Sequence, residues 1–272
     1  MWNYPEIDPV ALALGPVKIH WYGLMYLLGF LGFWLLGTRE AKRSKDWTAD
    51  YVSDFLFYGA LGVMIGGRVG YVLFYDLVFY IDNPLAVFKV WEGGMSFHGG
   101  LLGVTLAMFW FARKKMNVSI LVVSDFVSLM VPIGLFFGRI GNFINGELWG
   151  KVVDSPGSIL TMRVYDSQIG QVVSKYPTQL LQAFLEGLVL FIILYVYTRQ
   201  KRALGSVTGL FLGLYGFFRF LVEFYRVPEE PLGYLMWNWV TMGQVLSLPM
   251  IIIGFGMVVW ANKRHNKPKI AK

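Results

Sequence analysis

The chain has 272 residues, of which 56% are hydrophobic and 15% are charged, and it contains no cysteine. Soluble domains are about 45–50% apolar and about 25% charged, so this composition excludes an ordinary soluble protein and predicts a polytopic membrane protein. The lack of cysteine excludes a disulfide scaffold and cysteine ligation of zinc or iron–sulfur clusters. A formal net charge of +7 raises the question of nucleic-acid binding, which the positions of the basic residues address.

Seven segments are long and apolar enough to cross a bilayer, whose hydrocarbon layer of about 30 Å needs roughly 20 helical residues. The first is not a signal peptide, because acidic Glu6 and Asp8 stand where a basic region would be expected. We therefore predict an all-α integral membrane protein in which residues 1–272 form a single domain of seven transmembrane helices. The predicted spans are approximately residues 17–37, 54–75, 94–112, 120–140, 180–198, 205–224 and 242–261.

Lysine and arginine residues gather in alternate loops of this arrangement. Most of the 24 basic residues lie in the C-terminal tail and in the loops that contain Arg39, Arg113 and Arg199. In the predicted topology these loops and the tail are on the same side of the membrane. Basic loops remain in the cytoplasm, so we predict a periplasmic N-terminus and a cytoplasmic C-terminus. The same placement indicates contact with anionic lipid headgroups rather than with nucleic acid.

The longest polar stretch, residues 143–179, lies between the fourth and fifth predicted spans. It contains Pro156 and Gly157, and residues 159–165 alternate between apolar and polar side chains. Alternation of this kind is typical of a short strand. We predict a small periplasmic cap here, with short strands.

Three arginines, Arg68, Arg139 and Arg219, fall inside or at the ends of predicted spans. A charge there costs at least about 2.5 kcal/mol on insertion scales, so it usually faces a cavity or a partner. Snorkelling of each arginine to the membrane surface is the alternative, but it does not explain why other polar side chains lie at the same depth in the predicted topology. These side chains are His20, Tyr22, His98, Asn142, Asn145, Glu147, Glu186 and Glu223.

These positions predict a cavity that opens toward the periplasm and binds an anionic phospholipid. Guanidinium groups match phosphate oxygens in geometry and charge, and the common phosphate in a membrane is a lipid headgroup. His98 could act there as an acid or base near neutral pH, although a packed interfacial histidine remains an alternative. The three histidines lie far apart in the sequence, so we expect neither a metal nor another cofactor.

The segment Arg139–Gly150, RIGNFINGELWG, resembles the signature of the prolipoprotein diacylglyceryl transferases of bacterial inner membranes. Five further segments resemble that family in the same order along the chain. They are HWYGLMYLLGF at 20–30, GGRVGYVLFY at 66–75, WEGGMSFHGGLLG at 91–103, GLFLGLYGFFRFLVEFYR at 209–226 and MGQVLSLPM at 242–250.

The resemblance implies a seven-span enzyme of the inner membrane whose active site faces the periplasm. Such an enzyme moves the diacylglyceryl group of phosphatidylglycerol to the thiol of the lipobox cysteine in a prolipoprotein signal peptide. A thioether forms and glycerol phosphate leaves, which is the first step of lipoprotein maturation. Positions that the family treats as essential match Tyr22, His98, Arg139, Asn142 and Gly150, and supporting positions match Asp125, Glu147, Tyr215, Arg219 and Glu223.

The reaction itself needs two kinds of group. A free thiol with a pKa of about 8.5 is mostly protonated at neutral pH and must lose its proton, and the departing phosphate needs nearby cations. His98 is the candidate base, with an arginine that lowers the thiol pKa as the alternative. We predict catalytic roles for His98, Arg139, Arg219, Glu223 and Tyr22, and substrate binding by Arg139, Asn142, Asn145, Glu147, Gly150, Tyr215 and Arg68.

A transporter or flippase for an anionic lipid or solute is the main alternative function. It would use the same arginines, but it should also have polar groups toward the inner side, where only Asp125 lies. A CDP-alcohol phosphotransferase would need clustered aspartates that hold divalent metals. An intramembrane serine protease would need a Ser–His pair, and Ser96 near His98 lacks a Gly-x-Ser-Gly setting.

Overall fold

The computed structural model of the chain describes residues 2–15, 17–153, 160–166, 170–228 and 233–265, and it is mostly helical. Its α-helices are α1 (Trp21–Ala41), α2 (Ala49–Phe74), α3 (Leu77–Asp82), α4 (Phe97–Trp110), α5 (Ile120–Ile144), α6 (Thr178–Gln182), α7 (Leu190–Tyr197), α8 (Ser206–Glu223) and α9 (Met242–His265). A π-helical segment, Ala183–Val189, joins α6 to α7, and a second one, Phe111–Lys115, extends α4. Two 3-10 turns, Pro84–Phe88 and Val90–Glu92, precede α4.

Within the described residues, six helices are long and apolar enough to cross a membrane. They are Trp21–Ala41, Ala49–Phe74, Ile120–Ile144, Thr178–Tyr197, Ser206–Glu223 and Met242–Arg264, and they overlap six of the seven predicted spans. The predicted span 94–112 corresponds to α4, whose 14 residues extend about 21 Å at 1.5 Å per residue. The prediction of a mainly helical, multi-pass membrane protein is confirmed, whereas the seven-span count and the orientation stay predictions.

The predominance of helices is consistent with the predicted all-α membrane protein, and within the described residues five short strands accompany the helices. Strands β2 (Val10–Leu14) and β3 (Val17–His20) form an antiparallel hairpin. Because β3 is paired in this hairpin, the first helix begins at Trp21 rather than at the predicted residue 17.

A three-stranded sheet lies partly within the predicted cap. Strand β4 (Met162–Asp166) pairs antiparallel with β5 (Gln171–Lys175) and parallel with β1 (Trp2–Asn3). The short strands expected in the cap are therefore present, although residues 154–159 and 167–169 lie outside the described residues. The domain bounds 1–272 and 143–179 stay predictions.

The chain divides into two compact units, residues 34–124 and residues 1–33 with 125–272. In the first unit, α2 and α4 pack closely because glycines face each other. A methyl group on Gly66 would collide with the carbonyl oxygen of Gly99, and one on Gly70 would lie 2.7 Å from Cα of Gly99. Small residues allow two helix backbones to approach in this way within a membrane.

In the second unit, α8 and α9 pack in the same manner through Gly209, Gly213 and Gly254. The start of α8 is capped by a side chain from α5. Asp125 accepts hydrogen bonds from the backbone N–H of Gly205 at 2.7 Å and of Thr208 at 2.8 Å, and from the Thr208 hydroxyl at 2.6 Å. These bonds satisfy N–H groups that the first turn of a helix leaves without partners. Asp125 therefore aligns α5 with α8 at the ends opposite to Arg139 and Arg219.

Candidate active site

The segment Arg139–Gly150 forms the end of α5 and the tight turn that follows it. Gly146 and Leu148 adopt positive φ angles of 67° and 59°, which bend the chain back toward the helix. The backbone N–H of Glu147 donates to the carbonyl oxygen of Asn142 at 3.1 Å. The turn brings the Glu147 carboxylate back to α5, where it accepts from Nδ2 of Asn142 at 2.8 Å and from Nδ2 of Asn145 at 3.5 Å.

Tyr4, which no predicted motif contains, holds the end of α5 from the N-terminal segment. Its hydroxyl lies 3.0 Å from the carbonyl oxygen of Phe143 and 2.9 Å from that of Ile144. Its ring also packs edge-on against Trp149. Burial raises the pKa of the Tyr4 phenol above its ordinary value, which keeps the donor proton in place. Tyr4 lies far from the motif in sequence, so no local pattern could have indicated this contact.

Arg139 connects the turn to the helix that contains Glu186. Its Nη1 donates to Oδ1 of Asn142 at 3.3 Å, and its Nη2 lies 3.9 Å from Oε2 of Glu186. The Glu186 side chain is fully buried and also accepts from Nε2 of Gln182 at 3.0 Å. The guanidinium is therefore held from both sides, while the Arg139 side chain keeps 20% exposure.

A second group of charges lies at the end of α8. Oε2 of Glu223 is 3.3 Å from Nη2 of Arg219 and 3.5 Å from Nε of Arg226. Nη1 of Arg226 in turn reaches Oε1 of Gln182 at 3.5 Å. Arg226 and Gln182 thus join the two groups into one network, which also includes Glu186.

The network contains equal numbers of guanidinium groups and carboxylates. They belong to Arg139, Arg219, Arg226, Glu147, Glu186 and Glu223. Glu186 interacts electrostatically with Arg139, Arg219 and Arg226, so all three cations act on one buried acid. Nη1 of Arg219 is buried and has no hydrogen-bond partner in the part of the chain that the structure describes. A cationic donor in this condition is suited to an anionic ligand, because leaving it unpaired is unfavourable.

Tyrosines complete the surroundings of the network. Tyr22 packs against Gly141, where a methyl group would lie 2.7 Å from its ring. The Tyr22 hydroxyl is 3.4 Å from that of Tyr26, which interacts electrostatically with Arg139. Tyr215 interacts in the same way with Glu186 and the three arginines. The structure thus brings together most of the predicted site residues, namely Tyr22, Arg139, Asn142, Asn145, Glu147, Tyr215, Arg219 and Glu223.

Gly150 has a packing role in this structure. Its N–H donates to the carbonyl oxygen of Tyr176 at 2.8 Å. A methyl group there would collide with the carbonyl oxygen of Tyr225 and lie 2.7 Å from the Thr178 side chain. Glycine therefore lets the end of the motif cross two neighbouring segments, and the predicted contact of Gly150 with substrate stays a prediction.

His98 and Arg68 belong to the other compact unit, residues 34–124. His98 is exposed on the first turn of α4, and its role as a base stays a prediction. Arg68 is buried, and its five N–H groups each have a backbone carbonyl within hydrogen-bond distance. The acceptors are Val87 for Nε, Gly93 and Gly94 for Nη1, and Ala86 and Lys89 for Nη2. These contacts do not support the predicted binding of substrate by Arg68.

Two members of the network, Gln182 and Arg226, were missed, and Glu186 was placed in the predicted cavity without a role. Their spacing could have indicated them, because residues three, four and seven apart lie on one helical face. Arg219, Glu223 and Arg226 follow this spacing, and so do Gln182 and Glu186.

Comparison with known proteins shows which family the chain is similar to. Residues 9–260 match the family model described as prolipoprotein diacylglyceryl transferase. A phosphatidylglycerol–prolipoprotein diacylglyceryl transferase of Hydrogenovibrio crunogenus is 68% identical over 97% of this chain and 98% of its own length. Proteins of the same name from Pseudomonas aeruginosa and Pseudomonas fluorescens are 55% and 52% identical, over 100% of this chain and over 100% and 98% of their own lengths.

Proposed function

Because the chain belongs to the prolipoprotein diacylglyceryl transferase family, we propose that it transfers the diacylglyceryl group of phosphatidylglycerol to the lipobox cysteine of prolipoproteins. The prediction of a membrane transferase that catalyses the first step of lipoprotein maturation is confirmed by this membership. The reaction joins the cysteine sulfur to C3 of the lipid glycerol. The bond from C3 to the phosphate oxygen breaks, its electron pair leaves with glycerol phosphate, and the thiol proton passes to a base.

The arginine network is the observation that carries this proposal at the level of residues. The leaving phosphate develops negative charge, and preorganised cations stabilise such charge most effectively in a site from which water is excluded. Arg139 and Arg219 are held by Glu186 and Glu223. The buried carboxylates fix the two guanidinium groups, so these groups need little reorganisation when the phosphate binds.

The polar side chains around Arg139 would position the substrates. Asn142 bridges Arg139 and Glu147, so these three side chains form a connected row that would lie beside the phosphate. The hydroxyls of Tyr22 and Tyr26 are available to the glycerol headgroup or to the peptide near the cysteine. Tyr215, which interacts electrostatically with the same arginines, would contact the same headgroup.

His98 is the proposed acceptor of the thiol proton. An imidazole has a pKa near neutrality and therefore suits this task. Its exposed position on the first turn of α4 is compatible with access to a substrate. The alternative is that an arginine of the network lowers the pKa of the thiol directly.

The proposed orientation has seven spans, including α4, with the N-terminus in the periplasm and the C-terminus in the cytoplasm of an inner membrane. Arg139 and Arg219 lie near the C-terminal ends of α5 and α8, whereas Asp125 and Gly205 meet at the opposite ends. Arg199 and Arg202 lie in the loop that leads to Gly205. Since basic loops stay in the cytoplasm, the active site would face the periplasm.

The decisive experiment incubates the purified protein with phosphatidylglycerol and a lipobox cysteine peptide and reads the products by mass. We expect the diacylglyceryl thioether and an equal amount of glycerol phosphate. Arg139→Ala should abolish both products, whereas Arg113→Ala, which removes an exposed arginine of the π-helical turn after α4, should retain them. Lipid movement without glycerol phosphate would indicate the transporter or flippase instead, and full activity of Arg139→Ala would reject the phosphate role.

A further inference from the structure

The Arg68 side chain binds the backbone of the segment that precedes α4. A guanidinium has five N–H donors, and those of Arg68 point at carbonyl oxygens between residues 86 and 94. The distances are 2.9 Å to Val87, 2.5 and 3.2 Å to Gly93 and Gly94, and 2.6 and 3.2 Å to Ala86 and Lys89. Arg68 is only 5% exposed, so water cannot easily replace these bonds.

The segment 84–96 needs such a partner because it provides little regular structure of its own. It consists of two 3-10 turns followed by Gly93 and Gly94 at φ angles of 88° and 75°. A carbonyl group removed from water needs a donor partner, and Arg68 donates to five carbonyl oxygens of this segment. A methyl group on Gly94 would lie 2.8 Å from Nη1 of Arg68, so the chain follows the guanidinium closely.

This segment leads directly into the helix that presents His98. The N–H of Ser96 donates to the carbonyl oxygen of Gly67, next to Arg68, at 2.9 Å. The Ser96 hydroxyl then accepts from the N–H of Gly99 at 3.2 Å and caps α4. Contacts with α2 therefore hold the chain both at Gly94, before residue 95, and at Ser96, after it. Ser96 lies within one helical turn of His98.

We infer that Arg68 is a positioning residue for His98 and not a ligand of the lipid phosphate. It orders residues 86–94 and thereby sets the place and direction of the first turn of α4. This inference rests on the proposed function, in which His98 accepts the thiol proton. A displacement of about 1 Å in a reacting group can reduce a rate by about a hundredfold, so the effect of losing Arg68 should appear in kcat.

The test compares Arg68→Gln with wild type and with the control Arg113→Gln. Arg113 lies on the same unit, is exposed, and places its guanidinium 5.4 Å from the Phe109 ring. We expect Arg68→Gln to lower kcat by about tenfold to a hundredfold with KM for phosphatidylglycerol within about twofold of wild type. The Arg113 variant should change neither constant. A raised KM with an unchanged kcat would overturn the inference, because it would indicate direct lipid binding.

A second readout follows the segment itself. The chain has no cysteine, so a single Leu85→Cys substitution gives a unique spin-label site beside Ala86, and Phe57→Cys in α2 gives a control site. Both side chains are exposed. We expect Arg68→Gln to increase label mobility at position 85 and leave that at position 57 unchanged. The inference would be overturned if Arg68→Gln left the label mobility at position 85 unchanged, or if it changed the mobility equally at both sites.

A double-mutant comparison separates positioning from a general loss of folding. In a His98→Gln background, Arg68→Gln should cost much less activity than in wild type, because the residue it positions is already absent. An equal loss in both backgrounds would contradict the inference. A wild-type protein that forms no thioether would refute the proposed function instead, so the two failures are distinguishable.

Discussion

Glu223 packs its carboxylate directly onto Gly243, at the first turn of α9. A methyl group placed on Gly243 would lie 2.6 Å from the carboxyl carbon of Glu223 and 2.8 Å from each of its oxygens. The same carboxylate holds Arg219 and Arg226. The absence of a side chain at position 243 is therefore a condition for the geometry of the arginine network. It gives a physical reason for glycine in the segment MGQVLSLPM.

Gly243→Ala should displace the Glu223 carboxylate and reduce transfer by about tenfold or more, because a small misplacement in a catalytic site is costly. Thioether formation at saturating peptide measures this effect. Gly256→Ala is the matched control, since Gly256 lies in the same helix and a Cβ there meets no atom within 4 Å. Equal activity of the two variants would show that the network tolerates movement of Glu223.

Glu186→Gln should destabilise the protein and abolish most activity. The side chain is fully buried beside Arg139, and removal of one partner of a buried ion pair costs about 3–5 kcal/mol. Thermal unfolding in detergent and the transfer assay together measure both consequences. Asp54→Asn serves as the comparison, because its pair with Lys115 is partly exposed to solvent and surface pairs contribute about 0–1 kcal/mol. A Glu186 variant as stable and active as the Asp54 variant would contradict the proposed network.

Asp125→Ala should lower stability by about 0.5–2 kcal/mol, as expected for the loss of a helix cap. The activity of each folded molecule should remain, since Asp125 caps the end of α8 away from Arg219. Unfolding midpoints and active-fraction measurements distinguish the two effects. Thr208→Ser, which keeps the hydroxyl donor to Asp125, should behave nearly as wild type. Loss of kcat at full stability in Asp125→Ala would assign this residue a role beyond capping.

Tyr4→Phe should destabilise the end of α5 by about 1 kcal/mol, the usual contribution of one hydrogen bond. The pKa of Tyr4 is raised in the folded protein, so its contribution is complete below the unfolded value of about 10 and is lost as pH rises through the folded value. The difference in unfolding free energy between wild type and Tyr4→Phe should therefore be constant from pH 7 to about 9 and shrink above about 10. Tyr165→Phe, which alters an exposed tyrosine, should leave stability unchanged. A difference that grows with pH would contradict this assignment.

The sequence by itself determined the membrane class and six long apolar helices close to their observed positions. These features depend on local composition and helical spacing, which the chain displays directly. The length of α4 and the start of α1 were not determined in this way. Val17–His20 adjoins the apolar run of the first predicted span, and its pairing with Val10–Leu14 makes it a strand.

Tertiary structure alone decided which arginines share a site. Arg68 and Arg139 are both intramembrane arginines in the sequence, yet one is saturated by carbonyl oxygens and the other faces Glu186. Gln182 and Arg226 entered the network through contacts between helices, and Gly243 through the steric space that Glu223 requires. A sequence gives the type and spacing of side chains along one helix. The partner of a buried charge lies on another helix, and its identity depends on how the two helices pack.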